Sequence, residues 1–171
     1  MRRGSIGSHE QPNEGLTNVW LTPPDLLAAL GTFDLDPCAA IGQPWRTGRR
    51  QFTERDNGLR QQWSGRVWLN PPYGPHVATW MRKLADHGRG TALLFARTET
   101  EAWQRYIWPH CSGVLFLSGR LSFYRADGTP GRTNAGAPSA LIAYGAEDWR
   151  RLRRSGLAGA YVETVPVAIA A

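Results

Sequence analysis

The sequence contains few cysteines and no long apolar run, and each of these shortages excludes a class of protein. Two cysteines among 171 residues cannot build the disulfide framework of a small secreted domain, and no Cys-x-x-Cys pair favours a zinc site. No run approaches the roughly eighteen apolar residues that a transmembrane helix needs, and no apolar segment of a secretory signal follows the basic start. We therefore expect a soluble cytoplasmic protein with no metal site and no membrane anchor.

Lysine is almost missing as well. Lys83 is the single lysine among 20 basic residues, which outnumber 14 acidic residues for a formal net charge of +6. The other basic residues are arginine, whose guanidinium binds phosphate through paired hydrogen bonds and stacks on flat rings. This charge favours a polyanionic partner such as nucleic acid, and the eight tryptophans suit base stacking as well as a core. A compositional bias toward Arg, Ala and Gly would produce the same charge without any partner.

Hydrophobic periodicity predicts one α/β domain over residues 19–171, after a polar, flexible leader over residues 1–18. Strands are predicted at residues 33–36, 51–53, 66–69, 91–96, 114–117, 121–124, 139–144 and 161–165. Helices are predicted between Thr22 and Gly31, between Gly74 and Gly88, from a Thr98-x-x-Glu101 capping box to Pro109, and over 147–154. This alternation predicts a mostly parallel sheet with helices on both faces.

The carboxyl ends of two predicted strands carry polar side chains. Asp36 ends an early strand, and Asn70 directly follows the strand at residues 66–69. Ligands of parallel sheets bind at the carboxyl ends of the strands, so we expect both residues at one ligand-binding edge. A cap at the entry to a helix is the alternative interpretation of Asp36.

The string Asn70-Pro71-Pro72-Tyr73 follows that strand without a gap. Asn70 offers a neutral amide oxygen, the two prolines present carbonyls without competing N–H groups, and Tyr73 offers a flat ring. Two convergent acceptors can grip an NH2 group and stabilise the positive charge that develops on its nitrogen during attack, and a duplex base would have to be flipped to reach them. A simple turn is the alternative, but the strand followed by the whole string favours the functional interpretation.

With its surroundings, this string resembles the phage-type DNA N-6-adenine methyltransferases, which are S-adenosylmethionine-dependent amino-methyltransferases. The matching segments lie in family order: Trp20-x-Thr22-Pro23-Pro24-Asp25-Leu26-Leu27, Phe33-Asp34-Leu35-Asp36-Pro37-x-Ala39-Ala40, Asp56-x-Gly58-Leu59-x-x-x-Trp63, Asn70-Pro71-Pro72-Tyr73, Ala96-Arg97-Thr98-x-Thr100, Gly119-Arg120-Leu121-x-Phe123 and Ala137-Pro138-Ser139-Ala140-Leu141. The resemblance implies a single-domain class I, Rossmann-like methyltransferase fold with a sheet of about seven strands. It also implies S-adenosylmethionine as the cofactor. It implies that the methyl acceptor is the N6 amine of adenine in double-stranded DNA.

The resemblance also implies roles for individual residues. Asn70 and the carbonyl of Pro71 would hold the target amine, Pro72 would stiffen the loop, and Tyr73 would stack on the base. The residues expected at the cofactor are Trp20, Thr22, Pro23, Asp36, Pro37 and Asp56. The residues expected at the DNA are Arg97, Arg120 and Phe123. Surface ion pairs are the alternative for the two arginines, and a turn is the alternative for Asp56.

Several alternatives stay open from the residues alone. The chemistry of gripping an NH2 group would also suit the N4 amine of cytosine or the glutamine amide of a protein, and a non-enzymatic DNA-binding module could keep the same fold. Many enzymes of this fold have a glycine-rich turn at the cofactor, whereas the turn after Asp36 contains only Gly42. Cys38 is expected to be a small buried residue rather than a nucleophile, because no acidic partner motif accompanies it.

The stretch at residues 125–138 is rich in Gly, Pro, Thr and Asn and is predicted to be a recognition loop, carrying Arg125, Arg132 and Asn134. The predicted core takes up nearly all of the chain, so this loop alone is left to recognise the DNA sequence. We therefore expect a short or relaxed recognition site, or a homodimer whose two subunits share recognition. A monomer and a homodimer both stay open. The basic run at 150–154 suits either DNA phosphates or a solvated helix end. The resemblance suggests a phage or mobile-element origin and a location in the cytoplasm of a bacterial host. It also suggests that methylation protects phage or mobile-element DNA from restriction-modification systems.

Overall fold

Seven strands form one mixed sheet in the computed structural model, which describes residues 20–131 and 135–165. The predicted leader, Arg132 and Asn134 lie outside the described residues. The strands are β1 (Leu35–Asp36), β2 (Arg50–Gln51), β3 (Val67–Leu69), β4 (Gly90–Phe95), β5 (Gly113–Leu117), β6 (Ser139–Tyr144) and β7 (Gly159–Glu163). The helices are α1 (Pro24–Leu30), α2 (Val77–His87) and α3 (Ala146–Arg154), and a π-helical segment covers Ala102–Ile107.

The prediction of a mostly parallel sheet is wrong. The strand order is β2-β1-β3-β4-β6-β5-β7, and its first three pairings are parallel whereas its last three are antiparallel. A parallel neighbour needs a crossover connection that is usually helical. The connection from β5 to β6 contains no helix among its described residues, 118–131 and 135–138, and β6 pairs antiparallel with both β4 and β5. Helix α3 then crosses β5, and β7 pairs antiparallel with β5 at the edge.

Three local predictions also differ from the structure. The predicted strand at 121–124 is reduced to isolated bridges of Tyr124 with Leu21 and with Pro130. The helix predicted after Thr98 is π-helical, with Trp108 N donating to Trp103 O over 3.0 Å. The capping box predicted from Thr98 and Glu101 does not form, because the π-helical segment has no side-chain hydrogen bond at its N-cap. The helix predicted from Thr22 begins at Pro24 and also has no side-chain hydrogen bond at its N-cap. This bears on the site, because the hydroxyl of Thr22 bonds to Asn70 instead.

Alternation along the central strands places the core on both faces of the sheet. Val67 and Leu69 belong to a cluster with side chains of α2 and the π-helical segment. Trp68, between them, belongs to a second cluster with side chains of α1 and α3. Side chains alternate between faces along a strand, so the two layers of helices cover opposite faces. The helices cover the two faces of the sheet, and the loops that follow β1, β2, β3 and β4 lie at the carboxyl ends of these strands.

A buried ion pair ties α3 to the amino-terminal side of β3. Arg66 Nε donates to Asp148 Oδ1 over 2.6 Å, and both side chains are almost fully buried. The guanidinium also donates to the carbonyls of Leu30 and Thr32 and lies over the ring of Phe33. This arrangement joins α1, β3 and α3 on the side of the sheet away from Asn70.

Candidate active site

Parallel pairing brings Asp36 and Asn70 to one edge of the sheet. The strands β1, β3 and β4 run in the same direction and are neighbours, so their carboxyl ends lie together. The loop after β1 and the loop after β3 are also in direct contact, because the Cys38 thiol donates to the carbonyl of Asn70 over 3.2 Å. We name this region the carboxyl edge: the residues that follow β1, β2, β3 and β4.

The amide of Asn70 is held on one side and open on the other. Its Nδ2 donates to the carbonyl of Trp20 and to the hydroxyl of Thr22, each over 3.3 Å. A carbonyl can only accept, so the bond to Trp20 identifies which amide atom is the nitrogen. Asn70 Oδ1 is buried and has no hydrogen-bond partner among the described residues. An unpaired buried acceptor costs about 1–3 kcal/mol, and a ligand N–H group would remove that cost.

Tyr73 is presented on an aromatic partner that sequence reasoning did not identify. Pro71 is buried and Pro72 is exposed, whereas the Tyr73 side chain is 40% exposed and stacks on Phe95, with ring centroids 4.4 Å apart. Phe95 is the last residue of β4. A signal for it existed, because an aromatic residue at the carboxyl end of the strand next to β3 belongs to the same edge.

Asp36 is buried at the end of β1 and is anchored by the loop that follows. Its Oδ1 accepts from the backbone N–H of Cys38 over 2.9 Å, and its Oδ2 accepts from the hydroxyl of Thr47. Burial raises the pKa of Asp36 to about 6, outweighing these hydrogen bonds, which lower it. No ion pair with Asp36 exists within residues 20–131 and 135–165. Thr47, which also accepts from Gln43 and Gln51, was missed because no sequence pattern connects it with Asp36.

The thiol of Cys38 is protonated in this setting. Burial and the neighbouring carboxylate of Asp36 raise the pKa of Cys38 well above its ordinary value. Its contact with the Asn70 carbonyl is that of a donor. This environment supports the interpretation of Cys38 as a packing residue and not as a nucleophile.

Asp56 lies in an exposed turn that packs against the loop after β1. Its carboxylate accepts from the N–H and the hydroxyl of Thr53, over 2.8 and 2.9 Å, and these bonds lower the pKa of Asp56. The hydrogen bonds of Asp56 are therefore those of a turn residue. Gly58 allows the two loops to meet: a Cβ on Gly58 would lie 1.8 Å from the carbonyl oxygen of Pro37.

The three residues predicted at the DNA have different surroundings. Arg97 and Arg120 are exposed, and Arg120 donates to the carbonyl of Ala135 over 3.4 Å. Phe123 is 4% exposed and belongs to the core cluster beneath α1 and α3, so its ring is not on the surface. The backbone beside it is anchored, because Tyr124 exchanges two hydrogen bonds with Leu21, of 2.8 and 2.9 Å.

A known protein family matches the part of the chain that contains almost all of these elements. The family described as DNA N-6-adenine-methyltransferase (Dam) matches residues 9–162. The chain belongs to this family. No curated protein and no solved structure matches the chain at a significant level. The match spans every residue of the carboxyl edge described above, and the resemblance stated from the sequence is confirmed.

The groups at the carboxyl edge fit the cofactor expected of such a methyltransferase. S-adenosylmethionine carries positive charge and an adenine, and the edge offers the carboxylates of Asp36 and Asp56. Exposed apolar surface accompanies them at Trp20 and Ile41, which are 39% and 43% exposed. Thr22 and Pro23 are buried beside Trp20. Within the described part of the chain, no group of three or more His, Cys, Asp or Glu side chains is arranged to hold a metal ion.

Two concavities of the described surface lie apart from the groups described above. Two open grooves of about 450 and 470 Å³ follow α3, and Arg150 and Arg154 line both of them. Their walls contain Ala28, Gly31 and Trp149 but no residue of the carboxyl edge. We place the candidate active site by its polar groups, because neither groove contains Asn70, Asp36 or Asp56. No helix in residues 20–131 or 135–165 has the length and hydropathy needed to cross a membrane.

Proposed function

We propose that this chain is an S-adenosylmethionine-dependent DNA methyltransferase that transfers a methyl group to the N6 amine of adenine in double-stranded DNA. The observation that carries the proposal is the amide of Asn70. Its oxygen is buried and has no hydrogen-bond partner within residues 20–131 and 135–165, while its nitrogen is held by two acceptors. The membership of the DNA N-6-adenine-methyltransferase family supports adenine as the substrate.

In this proposal the chain prepares the amine and the cofactor supplies an electrophilic methyl group. Asn70 Oδ1 and the carbonyl of Pro71 accept from the two N–H bonds of the amine, which localises its lone pair on nitrogen. Positive charge that develops on nitrogen meets oxygens already directed at it. After transfer, the methylated nitrogen would release one of its protons to water, so no strong general base is needed. The protonated Cys38 thiol does not act as a base.

Tyr73 and Phe95 would hold the extruded base. The two rings are parallel within 14°, and the exposed part of Tyr73 adds stacking surface. Base stacking on an aromatic side chain contributes about 1–3 kcal/mol, which offsets part of the cost of unstacking a base from duplex DNA. Pro72 restricts the backbone between Asn70 and Tyr73, so the amine grip and the stacking ring keep a constant spacing.

The cofactor would bind between the loops after β1 and β2. Asp36 and Pro37 would contribute from the first loop, and Asp56 from the second. Trp20, Pro23 and the backbone of Thr22 would contribute from the segment before α1. A carboxylate accepts strongly from an ammonium or an amine. Five strands, β1 to β5, run in one direction, as follows from their pairings, and this supports the assignment to class I.

One experiment separates this function from its alternatives. The protein is incubated with S-adenosylmethionine and mixed-sequence duplex DNA, the DNA is digested to nucleosides, and the products are identified by mass spectrometry. We expect N6-methyladenine. N4-methylcytosine would move the substrate assignment to cytosine, and labelling of glutamine in an added protein would move it to an amide.

A non-enzymatic DNA-binding module is separated by cofactor binding. Equilibrium dialysis with labelled S-adenosylmethionine is expected to show saturable binding, with and without DNA. Saturable DNA binding without any cofactor binding would support the module and contradict the enzyme.

A further inference from the structure

We propose that Thr22 is a positioning residue for Asn70: its hydroxyl holds the amide so that Oδ1 faces the substrate amine. The inference rests on the proposed function and deepens it. The Thr22 side chain is buried, with the residue 2% exposed, and its Oγ1 lies 3.3 Å from Asn70 Nδ2. Family resemblance places Thr22 at the cofactor, whereas the geometry assigns its hydroxyl oxygen to Asn70.

The orientation of this amide decides whether it attracts or repels an NH2 group. Rotation of the amide by a half turn exchanges Oδ1 with Nδ2 and replaces an acceptor with a donor. A donor directed at the amine would leave its N–H bonds without a partner. The carbonyl of Trp20 opposes this rotation, because it can only accept and cannot donate to a flipped oxygen. The hydroxyl of Thr22, which can accept or donate, gives the amide a second attachment on the same side and holds its plane in position.

The two acceptors belong to a fixed stretch of backbone. Leu21 lies between Trp20 and Thr22, and its N–H and carbonyl both bond to Tyr124, over 2.8 and 2.9 Å. Pro23 follows with a restricted φ and is buried. Because the backbone at Thr22 is anchored in this way, its hydroxyl restricts the position of the Asn70 amide through their hydrogen bond. The same stretch of backbone adjoins the loop that begins at Arg125, so the loop and the amide share one anchor.

Thr22→Val and Thr22→Ser test the role of the hydroxyl. Valine keeps the shape of threonine without the acceptor, and serine keeps the acceptor. Thr164→Val is the matched control, because the hydroxyl of Thr164 also makes a partly buried hydrogen bond, to the carbonyl of Cys111, outside the carboxyl edge. For each protein, the single-turnover methylation rate at saturating cofactor and the Kd for S-adenosylmethionine are measured. The side-chain amide signals of Asn70 are also followed by nitrogen-15 NMR of the protein without ligands.

Thr22→Val is expected to lower the single-turnover rate about tenfold, the order that loss of one orienting hydrogen bond gives. Its Kd for the cofactor should stay within about twofold of the wild-type value, and the Asn70 amide signals should shift. Thr22→Ser is expected to retain the rate within about threefold. Thr164→Val should change neither the rate nor the Asn70 signals.

Two results would overturn the inference. Unshifted Asn70 amide signals in Thr22→Val would show that the hydroxyl does not hold the amide. A full single-turnover rate with a weakened Kd would show that Thr22 acts on the cofactor alone. Failure of the proposed function is recognised separately, since the wild-type protein would then form no N6-methyladenine while the NMR comparison still reports on the hydrogen bond.

Discussion

The ring of Tyr73 lies parallel to the ring of Phe95, with 4.4 Å between their centroids and 14° between their planes. One residue follows β3 through the Asn-Pro-Pro string, and the other ends β4. Because β3 and β4 are parallel neighbours, the sheet itself brings the two rings together. Tyr73 thereby has a defined orientation although 40% of it is exposed. We infer that Phe95 supports the stacking surface for the target base.

Phe95→Leu should weaken capture of the base. Leucine keeps apolar volume but removes the aromatic pairing, which contributes about 0.5–1.5 kcal/mol, so the KM for DNA should rise about twofold to tenfold. The Kd for S-adenosylmethionine should stay constant. Steady-state kinetics with a duplex substrate and cofactor binding by calorimetry check both values. An unchanged KM for DNA would show that Tyr73 needs no support from Phe95.

Asn70→Ala should abolish methyl transfer and leave cofactor binding in place. The substitution removes the acceptor directed at the amine, and loss of one preorganised hydrogen-bond partner costs about 100-fold to 1,000-fold in kcat. The variant should not be less stable through loss of Oδ1, since that atom has no partner among the described residues. Turnover is measured by transfer of a labelled methyl group. Comparable turnover in Asn70→Ala would place the amine grip elsewhere.

The sequence predicted the central strands and the position of Asn70 because these depend on local patterns. Val67, Trp68 and Leu69 form a continuous apolar run, which is typical of a strand buried on both faces, and the string that follows necessarily begins at its carboxyl end. The strand order could not be predicted in the same way. The position of β6 between β4 and β5 depends on contacts between distant segments, and no local period records such contacts.

The sequence did not predict which side chains bond to one another across separate loops. The bond between Asp36 and Thr47 joins two loops without any shared pattern. Thr22 has the spacing of a helix cap, yet its hydroxyl bonds to Asn70, 48 positions away along the chain. Phe123 was predicted at the DNA but packs in the core, because an aromatic residue suits either environment and only the fold decides between them.

Burial of Asp36 should make the folded protein less stable as the pH rises from about 4 to about 6. The pKa of Asp36 is about 6 in the fold, against 3.8 in its ordinary state, so the folded state holds the proton more tightly. The stabilising contribution is complete below pH 3.8 and is lost as the pH passes 6, an effect of about 3 kcal/mol. Urea unfolding across this range should show a stability difference between wild type and Asp36→Asn that changes by this amount.

The Arg66–Asp148 pair should be essential as a pair. Burial raises the pKa of Asp148 and lowers that of Arg66, while their attraction opposes both shifts. Asp148→Asn or Arg66→Met would leave one buried charge without its partner, which costs about 3–5 kcal/mol. Replacing both residues with apolar side chains should cost less than either single change. Urea unfolding measures all three, and additive losses in the double variant would contradict this account.

The arginines of α3 offer a test of contact with DNA phosphates. Arg150 and Arg154 are exposed and form no ion pair within residues 20–131 and 135–165, whereas Arg151 pairs with Glu147 at 2.9 Å. Removing both unpaired arginines should weaken DNA binding uniformly across sequences and reduce the salt slope of log K by about 2, because each neutralised phosphate contributes about 0.9. Fluorescence anisotropy between low and physiological salt measures the slope.

Arg82 and Arg105 provide the matched control for this measurement. Both are exposed on the opposite face of the sheet, and each is paired with an acid four residues away in a helical segment. Replacing them with alanine removes the same formal charge as replacing Arg150 and Arg154. If only the α3 double variant lowers the slope, the duplex passes along the grooves beside α3. Equal slopes in both double variants and the wild type would assign the basic run to a solvated helix end, where arginine also stabilises the helix dipole.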